Sequence, residues 1–305
     1  MNPDRRTRLR WLDAAARDHG PALTTVREVG RSIRRRIPSW YCRDSLHRAP
    51  VPIYSSAIPL AVLFSAKAGC TFATKWFLFQ EGTLEEAMAY SDWPHRYRQD
   101  VIYQRPGYMD DVRKLLSLGP RVVKFVRDPY DRAVSSYLHF SHITQRDQPR
   151  LALPVLAAIG EHLGRPVGDG ATFTFREFIS FLSAQDMQTT DPHFRLQVSP
   201  CERAGRLADM HVVRIEDSRA ELPRLEAELG LPASDYAELR RSPHHTARAD
   251  LPGFFGDTPF ADTRDEPTPK TIAFYDESIL REVGRLYAED IERYGYAAPV
   301  LTEAD

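Results

Sequence analysis

The stretch "IPLAVLFSAKAGCTFATKWFLFQ" (58–80) constrains this chain more than any other. A continuous apolar run, of the kind found in a strand buried on both faces, passes through a short turn into a helix. The pattern recurs at "RVVKFVRDP" (121–129), which runs into "DPYDRAVSSYLHFSH". There Asp128 suits the helix N-cap, Pro129 the first helical position and Asp131 the first turn. "MHVVRIED" (210–217), followed by "SRAELPRLEAELG", is a third copy. Strands alternating with helices predict an α/β fold: a P-loop-like three-layer sandwich with a central parallel sheet and helices on both faces. Ligands bind beyond the carboxyl ends of strands in such sheets. The turns after residues 64 and 126 are therefore the candidate site.

The rest of the chain fills in around these units. "AYSDWPHRYRQDVIYQRPGYMDD" (89–111) reads as irregular, and "DDVRKLLSLG" as a short helix stopped by Gly119. Residues 141–170 read as an insertion without a clear pattern. "TFREFISFLSAQ" is a helix, and "ESILREVGRLYAEDIERYGY" (277–296) one C-terminal helix with a sustained apolar stripe. The first fifty residues are rich in arginine ("RRTRLR", "RSIRRRI") and read as a basic, partly helical arm (1–50) ahead of one folded domain (51–305).

Composition excludes several classes. The net charge is −1, so no global field points to nucleic acid or to a membrane surface. No run approaches the roughly 18 apolar residues of a membrane span, and no signal peptide precedes the arm. Cys42, Cys70 and Cys201 form no paired framework, which predicts a reduced, cytoplasmic setting. His244 and His245 are adjacent, and no CxxC or HExxH occurs, so no metal is expected.

The first turn has the chemistry of an anion cradle. A loop entering a helix N-terminus offers free amide groups and a positive dipole end. Gly69 lets the backbone approach closely, Thr71 adds a hydroxyl and Lys67 a mobile charge. Cys70 has no recognisable base beside it in sequence, so it is a weak candidate nucleophile. At the second strand end, Arg127 with a serine of the following helix, Ser135 or Ser136, can hold another phosphate. Two phosphate sites imply a nucleotide phosphorylated at two separate positions. Lys67 precedes Gly69, there is no Walker A sequence, and "VVKFVRD" offers no clear Walker B acid, which argues against a kinase.

These residues resemble the sulfotransferases that use 3′-phosphoadenosine 5′-phosphosulfate (PAPS). "AKAGCT" is similar to their 5′-phosphosulfate loop, commonly Pro-Lys-x-Gly-Cys/Thr-Thr. "RDPYDRAVSSY" is similar to their 3′-phosphate motif, with a serine eight residues after the arginine. The nearer likeness is to the carbohydrate sulfotransferase branch (sulfotransferase family 2-like). "DPHFRLQVSPC" (191–201) resembles its Asp/Glu-x-His-Trp-x-Pro segment, "VVRIEDSRAELPRLEAELGL" its following strand and helix, and "LYAEDIERYGY" its final helix. The resemblance covers about residues 58 to 297. Ala66 stands where the family usually has proline, Phe194 where it has tryptophan and Leu196 where it has proline.

The resemblance implies a sulfotransferase domain over 51–305 that moves a sulfuryl group from PAPS, by in-line displacement and without metal, to a hydroxyl of a carbohydrate or glycolipid acceptor. Lys67, Ala68, Gly69, Cys70 and Thr71 would bind the 5′-phosphosulfate, with Lys67 on the bridging oxygen, and Arg127 with Ser135 the 3′-phosphate. The general base is His95 or, as its competitor, His193. His139 and His142, or an acid such as Glu81, Asp92 or Asp110, stay open. The absence of the membrane anchor found in the eukaryotic enzymes fits a cytoplasmic, bacterial enzyme. A nucleotide-binding protein without turnover and a P-loop-like nucleotide kinase remain the alternatives.

Overall fold

The computed structural model describes residues 51–301, except 59, 118–120, 144–148, 169–171, 206, 208, 242–247 and 261–267. The arm expected over 1–50, Gly119, His244 and His245 lie outside the described residues. These residues divide into two compact units. The first runs through Ser65 and then takes Gly69–Val126 and Val198–Arg241. The second takes Ala66–Ala68, Arg127–Gln197 and the residues from Ser242 onward.

The first unit holds a four-stranded sheet in the order β1-β2-β3-β4: Ile53–Tyr54, Leu60–Phe64, Arg121–Val126 and Met210–Arg214. The three strands expected from the apolar runs are all present and parallel, in the registers Val62↔Val123 and Lys124↔Val212. The sheet is mixed, however, rather than all parallel. The short β1 was not anticipated and pairs antiparallel with β2, Ile53 opposite Val62. A five-residue connection is too short for a crossover, so it can only turn the chain back on itself.

Helices flank this sheet. α1 (Cys70–Glu81) carries a nearly continuous buried face and ends at Gly82 in the left-handed conformation. α2 (Leu84–Tyr90), α3 (Pro94–Tyr97), a π turn (Arg98–Ile102) and α4 (Tyr108–Ser117) follow. Part of the stretch expected to be irregular is thus helical: Pro94 opens α3, and Tyr97 and Ile102 turn into the core. Later come α8 (Pro200–Arg203), α9 (Ser218–Leu229) and α10 (Tyr236–Arg240). Phe72 and Trp76 of α1 meet Phe125 of β3 edge-on, at centroid distances of 5.9 and 5.6 Å. The buried Glu226 of α9 accepts from Trp76 (2.8 Å) and Gln80 (3.1 Å), which locks α1 to α9.

The second unit is built on α5 (Pro129–Leu138), α6 (Pro149–Leu163), α7 (Phe175–Ser183), α11 (Glu277–Leu286) and α12 (Ala288–Tyr294). Two short strands, β5 (Arg248–Ala249) and β6 (Thr268–Pro269), pair parallel. Asp128 caps α5 as its position predicts, accepting from the Tyr130 and Asp131 amides. α6 lies where no pattern was legible. Pro154 interrupts a segment that is apolar nearly all round, yet Ala152, Val155, Leu156 and Ile159 bury one stripe. The C-terminal helix is two helices. Tyr287 leaves helical dihedrals (φ −107°, ψ 21°), and its buried hydroxyl donates to the Phe194 carbonyl at 2.6 Å.

Candidate functional site

In the first unit, the turn after β2 delivers Gly69 to the start of α1. Gly69 has φ 71°, and no side chain caps the helix it opens. The first helical bond runs from the Ala73 amide to the Gly69 carbonyl at 2.9 Å. The amides before it have no intrahelical acceptor, and no acid stands in the first turn. Glycine is required here twice: for the left-handed backbone, and because a Cβ would come within 2.3 Å of Ile215 Cδ1. A helix end of this kind can hold an anion.

Two side chains of the α3 region clip onto this helix. The buried His95 places Nε2 3.0 Å from Thr71 Oγ1, and Arg98 Nη1 donates to Thr74 Oγ1 at 2.9 Å. His95 and Arg98 stand three residues apart, as do Thr71 and Thr74, so one helical register serves both contacts. Thr74 in turn donates to the Cys70 carbonyl at 2.7 Å. Arg98 lies over the rings of Phe64 (4.9 Å) and Tyr103 (5.5 Å), a placement that shields a buried cation. Lys75, for which the sequence suggested no role, is buried and donates to the Arg241 carbonyl at 2.7 Å. Glu81 is paired with Arg105 (3.0 Å), Asp110 with Arg113 (2.6 Å), and Asp92 is exposed.

The second unit holds Lys67, at φ 65° the one non-glycine residue with positive φ among the described residues. A left-handed lysine costs of order 1 kcal/mol or more, and such strain concentrates at functional loops. Arg127 donates from Nη1 to the Lys67 carbonyl (3.3 Å) and lies 3.6 Å from Asp131. Its backbone is clamped. The Arg127 amide donates to Gln197 Oε1 (3.0 Å), and Gln197 Nε2 donates back to the Arg127 carbonyl (2.8 Å). The Gln197 amide is itself held by both oxygens of the fully buried Asp290, at 2.8 and 2.9 Å.

Arg132 supplies a second clamp. It has no exposed surface, and donates to the carbonyls of Ala66 (2.9 Å), Arg195 (2.7 Å) and Pro192 (3.2 Å). Ser136 is spent on the carbonyls of Arg132 (2.9 Å) and His193 (2.6 Å), whereas the hydroxyl of the half-buried Ser135 makes no hydrogen bond among the described residues. Arg248 donates to Thr271 Oγ1 (3.1 Å). Burial, and then the charge of Arg127, lower its pKa, and Asp131 works against them. Two guanidinium groups thus act on each other beside one acid. A lone arginine in "HTARAD" carries no sequence signal for this.

His193 lies in the same unit. Its Nδ1 is 2.7 Å from Asp191 Oδ1, and its amide donates to the same oxygen at 2.9 Å. His139 stacks on it at 4.7 Å and 28°. Burial above all, then the charges of Lys67 and His193, hold His139 far below the usual histidine range. Burial works against ionisation of Asp191, but the hydrogen bonds and charge of His193 outweigh it and leave the carboxyl below its usual pKa. Phe194, at the tryptophan position, is core: it packs among Phe140, Phe178 and Phe181. The second unit therefore contains Lys67, Ala68, Arg127, Ser135 and His193, of which Lys67 and Arg127 are hydrogen-bonded, and the first holds Gly69, Cys70, Thr71 and His95. The His142 side chain lies outside the described residues. Among the described residues, no group of three His, Cys, Asp or Glu could hold a metal ion, and no helix is long and apolar enough to cross a membrane.

A sequence profile of the sulfotransferase family matches residues 66–297. No curated protein and no solved structure matches the chain.

Arg132→Met should destabilise the protein by about 3 kcal/mol or more, since three carbonyls lose their donor. Urea denaturation checks this; a loss below about 0.5 kcal/mol would remove the clamp assignment.

Proposed function

The chain belongs to the sulfotransferase family, and from that premise we propose that it transfers a sulfuryl group from PAPS to a hydroxyl of a carbohydrate-type acceptor by in-line displacement. Family membership makes it a PAPS-dependent sulfotransferase. The observation that carries the finer reading is the loop 66–71: a strained, left-handed Lys67 leads into an uncapped helix start free of acids in its first turn. These donors fit an oxyanion. The amides around Ala68, Gly69, Cys70 and Thr71 bind the 5′-phosphosulfate, on a P-loop-like three-layer frame in which strand, loop and helix follow one another. Arg127 and Ser135 bind the 3′-phosphate, with Arg248 adding to the local positive charge.

The donor supplies a sulfuryl group whose bridging bond to phosphate breaks. The protein's part is positioning and charge stabilisation. Lys67 stabilises the negative charge that grows on the bridging oxygen, in the place a metal cation fills in many phosphoryl-transfer enzymes. The acceptor hydroxyl gives its proton to a general base. Of the two histidines, His95 is bonded to Thr71 and orients a donor-binding hydroxyl. His193 shares its unit with Lys67 and is the better base.

The carbohydrate class of acceptor rests on the resemblance of 191–201 and 286–296 to that branch of the family. We assign residues 51–305 to the sulfotransferase domain and 1–50 to a basic arm. Cys70 and Cys201 as free thiols support a reducing, cytoplasmic setting.

Two measurements test this. The chain should bind 3′-phosphoadenosine 5′-phosphate much more tightly than AMP, and Arg127→Ala should cost about 1.5 to 3 kcal/mol for the bisphosphate alone. Calorimetry that finds equal affinities would remove the 3′-phosphate site. Lys67→Ala should lower kcat by roughly 10² or more with a smaller change in PAPS affinity, because the charge it meets develops in the transition state. A variant that loses only affinity would place Lys67 in ground-state binding.

A further inference from the structure

Asp191 opens the 191–201 segment that resembles the family but was given no role there, and its carboxylate reaches the one ring nitrogen that decides what His193 can do. An ionised carboxylate only accepts hydrogen bonds. At 2.7 Å from Asp191 Oδ1, His193 Nδ1 therefore carries the proton, and in the neutral ring the lone pair is on Nε2. We propose that Asp191 is a positioning residue that fixes the tautomer and orientation of His193, so that Nε2 serves as general base toward the acceptor hydroxyl. This rests on the sulfuryl-transfer reading above and on His193 as the base.

Four observations carry it beyond a chance surface pair. The ring is fixed on two sides, by the His139 stack and by the edge of Phe140 at 5.5 Å and 89°. The backbone is fixed as well: Ser136 donates to the His193 carbonyl, and Arg132 to the carbonyls of Pro192 and Arg195. Both partners keep some exposed surface, 24% for the His193 side chain and 28% for Asp191. A base that must touch an acceptor needs that access, and His95, at 4%, has little of it. Finally, the stacked His139 does not compete for the proton, because burial and then the charge of Lys67 hold it far below the usual histidine range.

The step balances. The acceptor oxygen forms its bond to sulfur as its proton passes to His193 Nε2. The sulfur–oxygen bond to the 5′-phosphate breaks, and its electron pair stays on the phosphate oxygen beside Lys67. His193 becomes an imidazolium, and the Asp191 carboxylate compensates its charge. The groups that act on His193 or on its partners are Asp191 and Arg195 from its own segment, His139 from the segment after α5, and Lys67 from the loop.

The test is Asp191→Asn in the full chain, because an amide oxygen still accepts the His193 amide and keeps the turn. With PAPS and a hydroxyl acceptor, kcat should fall roughly 10²- to 10⁴-fold, the upper figure being the loss when the carboxylate behind a general-base histidine becomes an amide in a serine-protease triad. Bisphosphate affinity should not change. In ¹⁵N NMR the neutral His193 ring should lose its preference for the tautomer with the proton on Nδ1. Asp191→Glu should recover part of kcat. Unchanged kcat and ring tautomer in Asp191→Asn would overturn the proposal. His193→Gln separates the layers: wild-type kcat in that variant overturns His193 as base while PAPS-dependent transfer stays measurable. If the wild-type chain transfers no sulfate, the underlying reading fails, and an unchanged His193 ring tautomer in Asp191→Asn overturns the pairing by itself.

Discussion

The guanidinium of Arg132 is the interaction on which the second unit depends. Burial opposes its charge, and among the groups that act on it the Asp290 carboxylate is the anion that compensates it, while the buried Tyr287 keeps its proton. What makes the cation tolerable is that its N–H groups meet backbone carbonyls from two separate segments, Ala66 on one side and Pro192 and Arg195 on the other. Asp290 does a related job. It holds the Gln197 amide, and the Gln197 side chain holds both polar groups of the Arg127 backbone. Through these two buried charges the residue before Lys67, the backbone of Arg127 and the segment carrying His193 become one rigid set.

Such rigidity is what sulfuryl transfer asks of a protein. No covalent intermediate is needed, so the rate depends on where a few charges and one base stand. A left-handed Lys67 is tolerated only where its surroundings over-determine it, and the Arg127 bond to its carbonyl is part of that constraint. At Gly69 the same loop approaches Ile215 so closely that no larger residue fits. The loop's sequence thus reflects how tightly it is packed from behind.

Much of this was legible in the sequence because it is local. A continuous apolar run marked β2, shorter apolar pairs within "RVVKFV" and "MHVVR" marked β3 and β4, and Asp128 followed by proline marked the start of α5. Lys67, Gly69, Thr71 and Arg127 stand out because their residue types at strand ends already imply an anion. The rest is decided by contacts between distant positions. Tyr287 breaks the last helix because its hydroxyl reaches Phe194, 93 residues away. Arg132 reads as an ordinary helix arginine until its partners, 60 to 66 residues away, are known. The sequence put His95 first as base and His193 second, without showing what either ring touches. Their neighbours separate them: a threonine hydroxyl for one, a carboxylate and a second imidazole for the other. Pro154 hid α6, since a proline inside an apolar segment removes the periodic signal by which a helix is recognised.

The central claim is tested most directly by incubating the full chain with PAPS labelled on sulfur and a panel of sugars, glycolipids and phenols, and following where the label goes. The account predicts label on a carbohydrate hydroxyl, with one 3′-phosphoadenosine 5′-phosphate released per sulfate transferred. Label on phenols alone would contradict the acceptor class. Tight bisphosphate binding with no labelled acceptor at all would contradict sulfuryl transfer as this chain's reaction.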